Sequence, residues 1–499
     1  MKKYLALICV FAVALGGCRK DFLNLEKNPN VPSVASPNLL LAGALRQSAD
    51  IVNGGISLNY NQYACYMGYI SYSTSYQTNN SLELYSFTTS DYDVWTPLYL
   101  NLSNYSAIAA TNAGPYYTAI AKIMTAYNYQ ALVDNYNNVP YTSALKGTGG
   151  LNPTYDNGSA IYDDLMKQLD AAIVLINAAP ATAINPGASD IMFGGIMTSW
   201  VKFANTLKLK LAIRQSNLTA KAASLATAIQ ATQALGYLDG TTGASLNPGY
   251  TNIDANGGQQ SPVWLDYGYT QGGAGQSGNA RYQAGSAAIN YFLTNNDTAR
   301  AVQLYQAYYT ANDANKMHPY FVSTYFGYRT PPAGTVSKLG PGILKSATMN
   351  AQILSSAEAL FLQAEGVAEG LISGNAATLY NQGITADFID IGLTAAQAAT
   401  YYGQASIAYP AGGTLEAQKQ AIITQKWAAL DIYGAFEAYN EQRRTGYPNF
   451  IPLSATKGAN APNQVTRIYY PFVEYSTNAK NVAAQGTINI FTSKIFWAK

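Results

Sequence analysis

The sequence has little charge, few cysteines and almost no histidine. Lys and Arg number 29 and Asp and Glu 27, so 11% of the 499 residues are charged, against about 25% in average soluble proteins. The net charge of +2 gives no broad basic surface, which argues against a nucleic-acid partner. The one histidine, His318, cannot complete a histidine-rich zinc site. We accordingly expect no metal centre and no cofactor.

Long apolar runs are also scarce, and the longest lies at the N-terminus. Residues 4–15 form a run of 12 after a basic start, short of the ~20 residues that a bilayer span needs. This pattern predicts a secretory signal peptide over residues 1–17. The following Leu15-Gly16-Gly17-Cys18 resembles the lipobox of bacterial lipoproteins, which implies cleavage before Cys18 and its lipidation. The alternative is an ordinary signal peptide with an incidental cysteine.

Only Cys65 would remain as a free cysteine in the mature chain, so no internal disulfide is expected. Residues 18–37 carry three prolines and little periodicity, which predicts a lipidated tether. Phe22, Leu23 and Leu25 predict that part of this tether docks onto the body. The remaining residues, 38–499, would form the folded domain.

Tyrosine and apolar residues are abundant. The hydrophobic fraction is 48%, which rules out intrinsic disorder. The chain has 41 Tyr against 15 Phe and 5 Trp. A tyrosine buries its ring and keeps a hydroxyl available, so it suits both packing and stacking against sugars or peptides.

Apolar positions recur at helical spacing in several segments, and strand-like alternation is weak. The clearest stripes run over residues 161–176 and 200–211, and Ser159 is a suitable N-cap for the first. Residues 360–383 resemble a degenerate tetratricopeptide hairpin with a turn at Gly374-Asn375. Any helix pair with a tight turn explains that window equally well. The sequence therefore predicts a mainly α body.

Several motifs, in order along the mature chain, resemble one family. They are Asn28-Pro29-Asn30, Trp95-x₃-Tyr99, 134–141 (DNYNNVPY), 153–156 (PTYD), 161–164 (IYDD), 200–209 (WVKFANTLKL), 437–448 (EAYNEQRRTGYP) and 467–471 (RIYYP), with Glu474 and Asn478 after the last. Together they resemble the SusD/RagB family of nutrient-binding outer-membrane lipoproteins, in particular its second, RagB-like branch.

The resemblance implies an all-α fold in which tetratricopeptide-like helical hairpins support long aromatic-rich loops. Residues 38–499 would form a SusD-like nutrient-binding domain. The protein would be held by lipid at Cys18 on the surface of the outer membrane, with no other membrane contact. It would act as a lid on a SusC-like TonB-dependent transporter and capture oligosaccharides or oligopeptides.

Two turns depart from the family pattern. Asn137-Asn138 stands where the family usually has Gly-Asp, and 296–300 (NDTAR) stands where it often has Asp-Pro-Arg. Both changes lie in turns, so they affect local ligand or ion contacts and leave the predicted fold unchanged.

The first aromatic segment contains tyrosines at every third position. Tyr60, Tyr63, Tyr66, Tyr69 and Tyr72 would drift by about 60° per step on a continuous α-helix, so we expect some rings to face loops or solvent. Packing is the better explanation for the first four of them. From this segment the predicted ligand-binding residues are Tyr72, Tyr76, Asn79, Asn80 and Tyr85.

The second aromatic segment is 263–271 (VWLDYGYTQ). A tryptophan in a Gly/Gln/Tyr loop is costly to expose without a partner, so Trp264, Tyr267 and Tyr269 are predicted to bind ligand. Insertion of Trp264 into the helical body is the alternative.

Three further patterns carry little functional signal. Gly273-x-Gly275-x-x-Gly278 matches a dinucleotide fingerprint but lacks a βαβ context, so we interpret it as a flexible loop. The run 252–257 (NIDANG) resembles half of a calcium loop without the closing Glu, and Asx turns explain it better. His318 is expected at the surface or satisfied by a partner.

Two classes of function remain. An all-α glycoside hydrolase or lyase would need two carboxylates about 5–9.5 Å apart across a bound sugar. The aromatic segments supply only Asp91, Asp93 and Asp266, which is too few to assign an acid and a base. We therefore predict a non-enzymatic binder of oligosaccharides, with no catalytic residue, and keep oligopeptides as the alternative ligand.

Overall fold

The structure, a computed structural model, describes residues 36–53, 61–73, 80–241, 243–255, 258–313, 315–328, 336–457 and 461–499. The predicted signal peptide, Cys18 and all but the last two residues of the predicted tether lie outside these ranges.

The described residues form many helices and a few short strands. The helices are α1 Pro37–Asn53, α2 Asn61–Tyr66, α3 Ser81–Leu84, α4 Trp95–Ala110, α5 Pro115–Tyr136, α6 Gly158–Asn177, α7 Met197–Arg214, α8 Ala222–Gln230, α9 Pro262–Tyr267, α10 Ser277–Arg281, α11 Ser286–Thr294, α12 Thr298–Leu304, α13 Ser356–Ala368, α14 Ala376–Asp390, α15 Ala395–Tyr402, α16 Leu415–Leu430, α17 Ala435–Thr445, α18 Phe472–Thr477 and α19 Ala479–Ala483. The strands are β1 Ile70–Tyr72, β2 Val139–Pro140, β3 Tyr155–Asp156, β4 Ala244–Leu246, β5 Tyr282–Ala284 and β6 Ala351–Leu354.

Short polar side chains start several helices. Asn157 accepts hydrogen bonds from the amides of Ser159 and Ala160 at the start of α6, so Asn157 is the N-cap in place of the predicted Ser159. At α15, Thr394 and Gln397 form a capping box. Such a cap typically contributes about 1 kcal/mol, because it satisfies an amide that the helix leaves free.

The long helices pack as a series of neighbours. α4 contacts α5, α5 contacts α6, α6 contacts α7, and α7 contacts α13, which in turn contacts α14 and α16. α13 and α14 pack closely at Gly383, where a Cβ would lie 2.9 Å from the ring of Phe361. The predicted helical hairpin over 360–383 is confirmed, and the mainly helical fold with it.

The described strands form three two-stranded antiparallel sheets, β1 with β5, β2 with β3, and β4 with β6. Each pair joins segments on either side of intervening helices or loops. The sheets therefore fasten the loops to the helical body and do not form a core of their own.

Buried ion pairs connect the central helices. Lys210 on α7 lies 2.7 Å from Glu437 on α17. Arg444 on α17 contacts Glu365 on α13 at 2.7 Å and Glu441 at 2.5 Å. Burial would raise the pKa of Glu437, but the cations around it, Lys210 first, lower that pKa to about 2. The 437–448 motif thus supplies structural charges of the core.

The residues at the first departure from the family pattern have structural partners. The side-chain oxygen of Asn137 accepts the amide of Phe496 at 2.7 Å, and that of Asn138 accepts the amide of Gly158 at 3.1 Å. The two asparagines therefore hold the turn against the C-terminal segment and the start of α6.

At the second departure, Asp297 caps α12 and binds Arg300 at 2.5 Å. The guanidinium of Arg300 also donates to Asp387 on α14 at 2.8 Å. Both Asp297 and Arg300 are buried, so this turn fixes α12 against the helical hairpin.

Candidate ligand-binding surface

Strand pairing brings the two aromatic segments together. β1 ends at Tyr72, which lies opposite Tyr282 of β5, and β5 follows directly on the loop that begins with α9. The rings of Tyr72 and Tyr282 stack with centroids 5.1 Å apart, and Tyr267 of α9 lies 5.9 Å from Tyr282. The two segments therefore meet at one cluster of rings, in which Tyr282 contacts both Tyr72 and Tyr267.

Three of the predicted ligand-binding tyrosines belong to the interior. Tyr72, Tyr85 and Tyr267 are 7%, 4% and 2% exposed. Burial raises the pKa of all three hydroxyls, because it disfavours the phenolate. The hydroxyl of Tyr85 accepts the amide of Ser454 at 3.1 Å. The three rings were expected to present open faces to a ligand, but they pack inside the protein. Their burial therefore argues against ligand contact at these positions.

The spacing argument fails because the helix is short. α2 ends at Tyr66, and a turn at Gly68 with φ of 71° leads into β1. Each change of conformation returns the next ring to the interior, and Tyr63, Tyr66 and Tyr69 are at most 2% exposed. The expectation that some of these rings face solvent assumed a continuous helix and is wrong from Tyr63 to Tyr72.

Among the polar candidates of this segment, Asn80 is half-buried at the start of α3. Its side chain accepts the amide of Glu83 at 3.1 Å and donates to the Glu83 carboxylate at 2.9 Å. Asn80 therefore has a capping role of its own. Tyr76 and Asn79 lie outside the described residues.

Tyr269 remains at the surface, beside a Trp264 that packs partly against the hydrophobic core. Trp264 is half-buried, and its indole N–H donates to the carbonyl of Tyr269 at 2.9 Å. The two rings are inclined at 61° with centroids 5.9 Å apart, and Tyr269 is 40% exposed. The pair forms an angled aromatic surface held by a backbone hydrogen bond.

A tight hairpin supports this pair. Thr270 donates its amide to the carbonyl of Ala274 at 2.7 Å, and Gln276 donates to Gly268 at 3.0 Å. Gly273 turns the chain with φ of 86°, a conformation that favours glycine. The dinucleotide-like glycines thus form a hairpin turn that leads into the five-residue helix α10.

Amide side chains line the same hairpin. Gln260 donates to the side-chain oxygen of Asn252 at 3.0 Å and to the carbonyl of Tyr269 at 3.1 Å. Gln276 donates to Gln260 at 3.1 Å. Asp254 accepts the amide of Gln271 at 3.1 Å. In the described part of the calcium-like run, Asn252 and Asp254 thus bond to Gln260 and Gln271 of the hairpin, and these contacts place hydrogen-bonding amides beside the rings.

Tyr308 and Tyr320 form a second aromatic pair at the surface, which no sequence pattern predicted. Their backbones form an antiparallel bridge with both N–H···O distances at 2.9 Å, and their ring centroids are 5.8 Å apart. Tyr320 is 47% exposed. The two residues are 12 positions apart in irregular segments, so no period of helix or strand marks them.

The carboxylates of the aromatic segments are engaged in local structure. Asp91 accepts the amide of Thr88 at 2.7 Å, and Asp93 accepts the amide of Thr96 at 3.0 Å. Asp266 is buried. His318 is at the surface, as expected, with its side chain 86% exposed. Over the described ranges, no three His, Cys, Asp or Glu residues are placed to hold a metal ion.

A family profile matches residues 29–471 of this chain. It is the SusD-like_2 family, described as starch-binding and associating with the outer membrane. The chain belongs to the SusD-like family. A comparison with curated proteins gives no match.

Solved structures of SusD-like proteins have the same fold. A nutrient-binding outer-membrane protein of Bacteroides vulgatus is 23% identical, with a TM-score of 0.74 over 93% of this chain and 100% of that one. A chitin-binding SusD homologue of Flavobacterium johnsoniae is 21% identical, with a TM-score of 0.74 over 92% and 98%. A SusD homologue of Bacteroides uniformis is 22% identical, with a TM-score of 0.72 over 92% and 99%. The family resemblance and the helical SusD-like fold are thereby confirmed.

The family description associates these proteins with the outer membrane. Among the helices that the structure describes, none is long and apolar enough to cross a bilayer.

Proposed function

We propose that this SusD-like protein captures oligosaccharides at the cell surface and passes them to a SusC-like TonB-dependent transporter. The observation that carries the proposal is the pair of half-buried Trp264 and exposed Tyr269 on its hydrogen-bonded hairpin. Aromatic faces stack on the apolar faces of sugar rings, and neighbouring amides bond to their hydroxyls. Because the hairpin is braced by its own hydrogen bonds, little order has to be gained on binding.

The anchor in this proposal is lipid at Cys18, which would hold the mature chain on the outer face of the outer membrane. Several acyl chains anchor a protein firmly where one does not. The motivation is the lipobox at residues 15–18. A surface lipoprotein that binds nutrients needs a route through the membrane, and the transporter partner supplies it.

Oligopeptides are the second candidate ligand, because stacking faces and amides also suit peptide bonds.

Three of the carboxyl groups near the aromatic segments, those of Asp91, Asp93 and Asp254, are held by backbone amides of their own loops. Because these carboxylates already stabilise their own loops, we propose a binder without turnover.

Binding is tested by calorimetric titration of the mature protein with neutral oligosaccharides and with uncharged peptides of similar length. A relative binds chitin, so chito-oligosaccharides come first, followed by malto- and xylo-oligosaccharides. We expect saturable binding to one glycan series and no release of reducing ends. Binding to peptides alone would replace the ligand class, and reducing-end release abolished by one carboxylate substitution would contradict the absence of catalysis.

The anchor is tested separately in the native host with Cys18→Ala and a clickable palmitate label. We expect the wild type to take up label and to be degraded when intact cells meet an impermeant protease. Equal labelling of wild type and variant would contradict the proposed anchor.

A further inference from the structure

Tyr308 and Tyr320 form a second aromatic pair beside Trp264 and Tyr269. Their inclination of 38° makes a shallow surface. The hydroxyl of Tyr308 donates to the carbonyl of Val336 at 3.1 Å. This bond and the backbone bridge fix the pair from two sides, so the rings keep one orientation.

Lys338 connects the two pairs. Its backbone carbonyl accepts the amide of Gln306 at 2.9 Å, two residues before Tyr308. Its ammonium group donates to the backbone carbonyl of Asn279 on α10. The side chain of Asn279 in turn donates to the carbonyl of Tyr267 at 3.0 Å. The segment that carries Tyr308 is thus joined to the Trp264–Tyr269 hairpin through described contacts.

The Tyr308 hydroxyl lies within electrostatic range of the Tyr269 hydroxyl. Burial, Tyr320 and Tyr269, in that order, raise the pKa of Tyr308. Tyr269 and Tyr320 are the more exposed members of their pairs, at 40% and 47%.

Charged side chains around the pairs are engaged within the protein. Asp254 accepts the amide of Gln271 at 3.1 Å, and Asp313 accepts the amides of Met317 and His318 at 2.9 and 2.6 Å. The ammonium of Lys338 donates to backbone carbonyls, and burial lowers its pKa. Backbone groups of the protein therefore hold these carboxylates and this ammonium group in fixed positions.

We infer that Tyr308 and Tyr320 are a second stacking position of the ligand surface, which binds the continuation of a neutral oligosaccharide held at Trp264 and Tyr269. This inference rests on the proposed function and adds a requirement of ligand length. A short oligomer occupies one ring pair, whereas a longer one occupies both.

The test compares the wild type with Tyr308→Ala/Tyr320→Ala by calorimetric titration with chito-oligosaccharides of two to six sugars, or with the neutral series that the wild type binds best. Stacking on each ring contributes about 1 kcal/mol, roughly a fivefold change in affinity. We expect the double variant to bind the longest oligomer at least tenfold more weakly and the shortest bound oligomer with unchanged affinity. Tyr320→Phe retains the ring and should bind as the wild type does.

Tyr475→Ala is the matched control, since Tyr475 is a similarly exposed tyrosine on α18, at 38%. It should leave affinity unchanged for every oligomer. Equal affinity of the wild type and the double variant for the longest oligomer would overturn the inference and leave the proposed function intact. Equal weakening for all lengths would also overturn it, because the pair would then belong to the first stacking position. A wild type that binds no glycan would overturn the proposed function itself and this inference with it.

Discussion

Two aromatic segments of similar composition have opposite fates in this molecule. Residues 61–72 contain four tyrosines, and all four are buried. Residues 264–269 contain a tryptophan and two tyrosines, of which only Tyr267 is buried. The first segment passes from helix through a turn into a strand at the centre of the fold. The second ends in a hairpin whose own hydrogen bonds keep Trp264 and Tyr269 at the surface.

The difference shows that backbone partners decide the exposure of an aromatic ring. Tyr69 stacks on Trp427 at 5.2 Å and donates to its carbonyl at 2.6 Å, so it belongs to the helical body. Trp264 donates only to Tyr269, five residues away in its own hairpin. A ring whose hydrogen bond closes locally can stay at the surface and still be held in place.

The largest expected effect concerns the buried segment. Tyr72→Ala removes a ring that stacks on Tyr282 and leaves a cavity, so we expect it to lower the free energy of unfolding by about 3 kcal/mol. Tyr72→Phe keeps the ring and should lose far less. Urea denaturation of both variants measures the difference. A Tyr72→Ala protein of wild-type stability with weakened glycan binding would show that Tyr72 belongs to the ligand surface after all.

The next effect concerns the exposed pair. Trp264→Ala/Tyr269→Ala should weaken oligosaccharide binding at least tenfold, about 1.4 kcal/mol, because two stacking faces are lost. The melting temperature should change little, since neither ring is fully buried. A large fall in melting temperature would instead assign these rings to the core, as for Tyr72.

The smallest effect concerns Asn80, which is half-buried and so lies between the buried tyrosines and the surface pair in exposure. Asn80→Ala should lower stability by about 1 kcal/mol through loss of the α3 cap. Asn80→Asp is a poorer control than Asn80→Ser, because it keeps the cap but places a second carboxylate beside Glu83. If glycan affinity falls in Asn80→Ala but recovers in Asn80→Ser, the residue acts only as a cap. Persistent loss in Asn80→Ser would assign its amide to the ligand.

Long-range order of motifs made the fold predictable. The stripe over 161–176 is buried as expected, with Ile161, Leu165 and Leu169 at most 1% exposed, because helical spacing reports burial directly. The 437–448 motif was recognisable as a family mark, but its ionic role depends on Lys210 of α7 and Glu365 of α13, which no local pattern reveals. The order of the family motifs along the chain therefore predicted more of the fold than any single motif did.

The exposure of the aromatic rings was only partly predictable, because it depends on partners that are distant in sequence. Tyr269 is exposed, as expected for the second aromatic segment, and ligand binding by Trp264 and Tyr269 stays a prediction. Tyr85 was misjudged because its burial depends on Ser454, far away in sequence. Tyr308 and Tyr320 were missed because their pairing is a single backbone bridge between irregular segments.

Tryptophan fluorescence offers the most direct test that the Trp264 hairpin is the ligand surface. Of the five tryptophans, Trp95, Trp200, Trp427 and Trp497 are at most 5% exposed, so Trp264 is the one within reach of a collisional quencher. Acrylamide quenching should be measured with and without a saturating oligosaccharide whose binding calorimetry has established, with Trp264→Phe as the control that removes the accessible indole. We predict that the oligosaccharide protects wild-type emission from acrylamide and leaves the quenching of Trp264→Phe unchanged. Saturated binding with no change in the quenching of the wild type would contradict the account and place the glycan elsewhere on the protein.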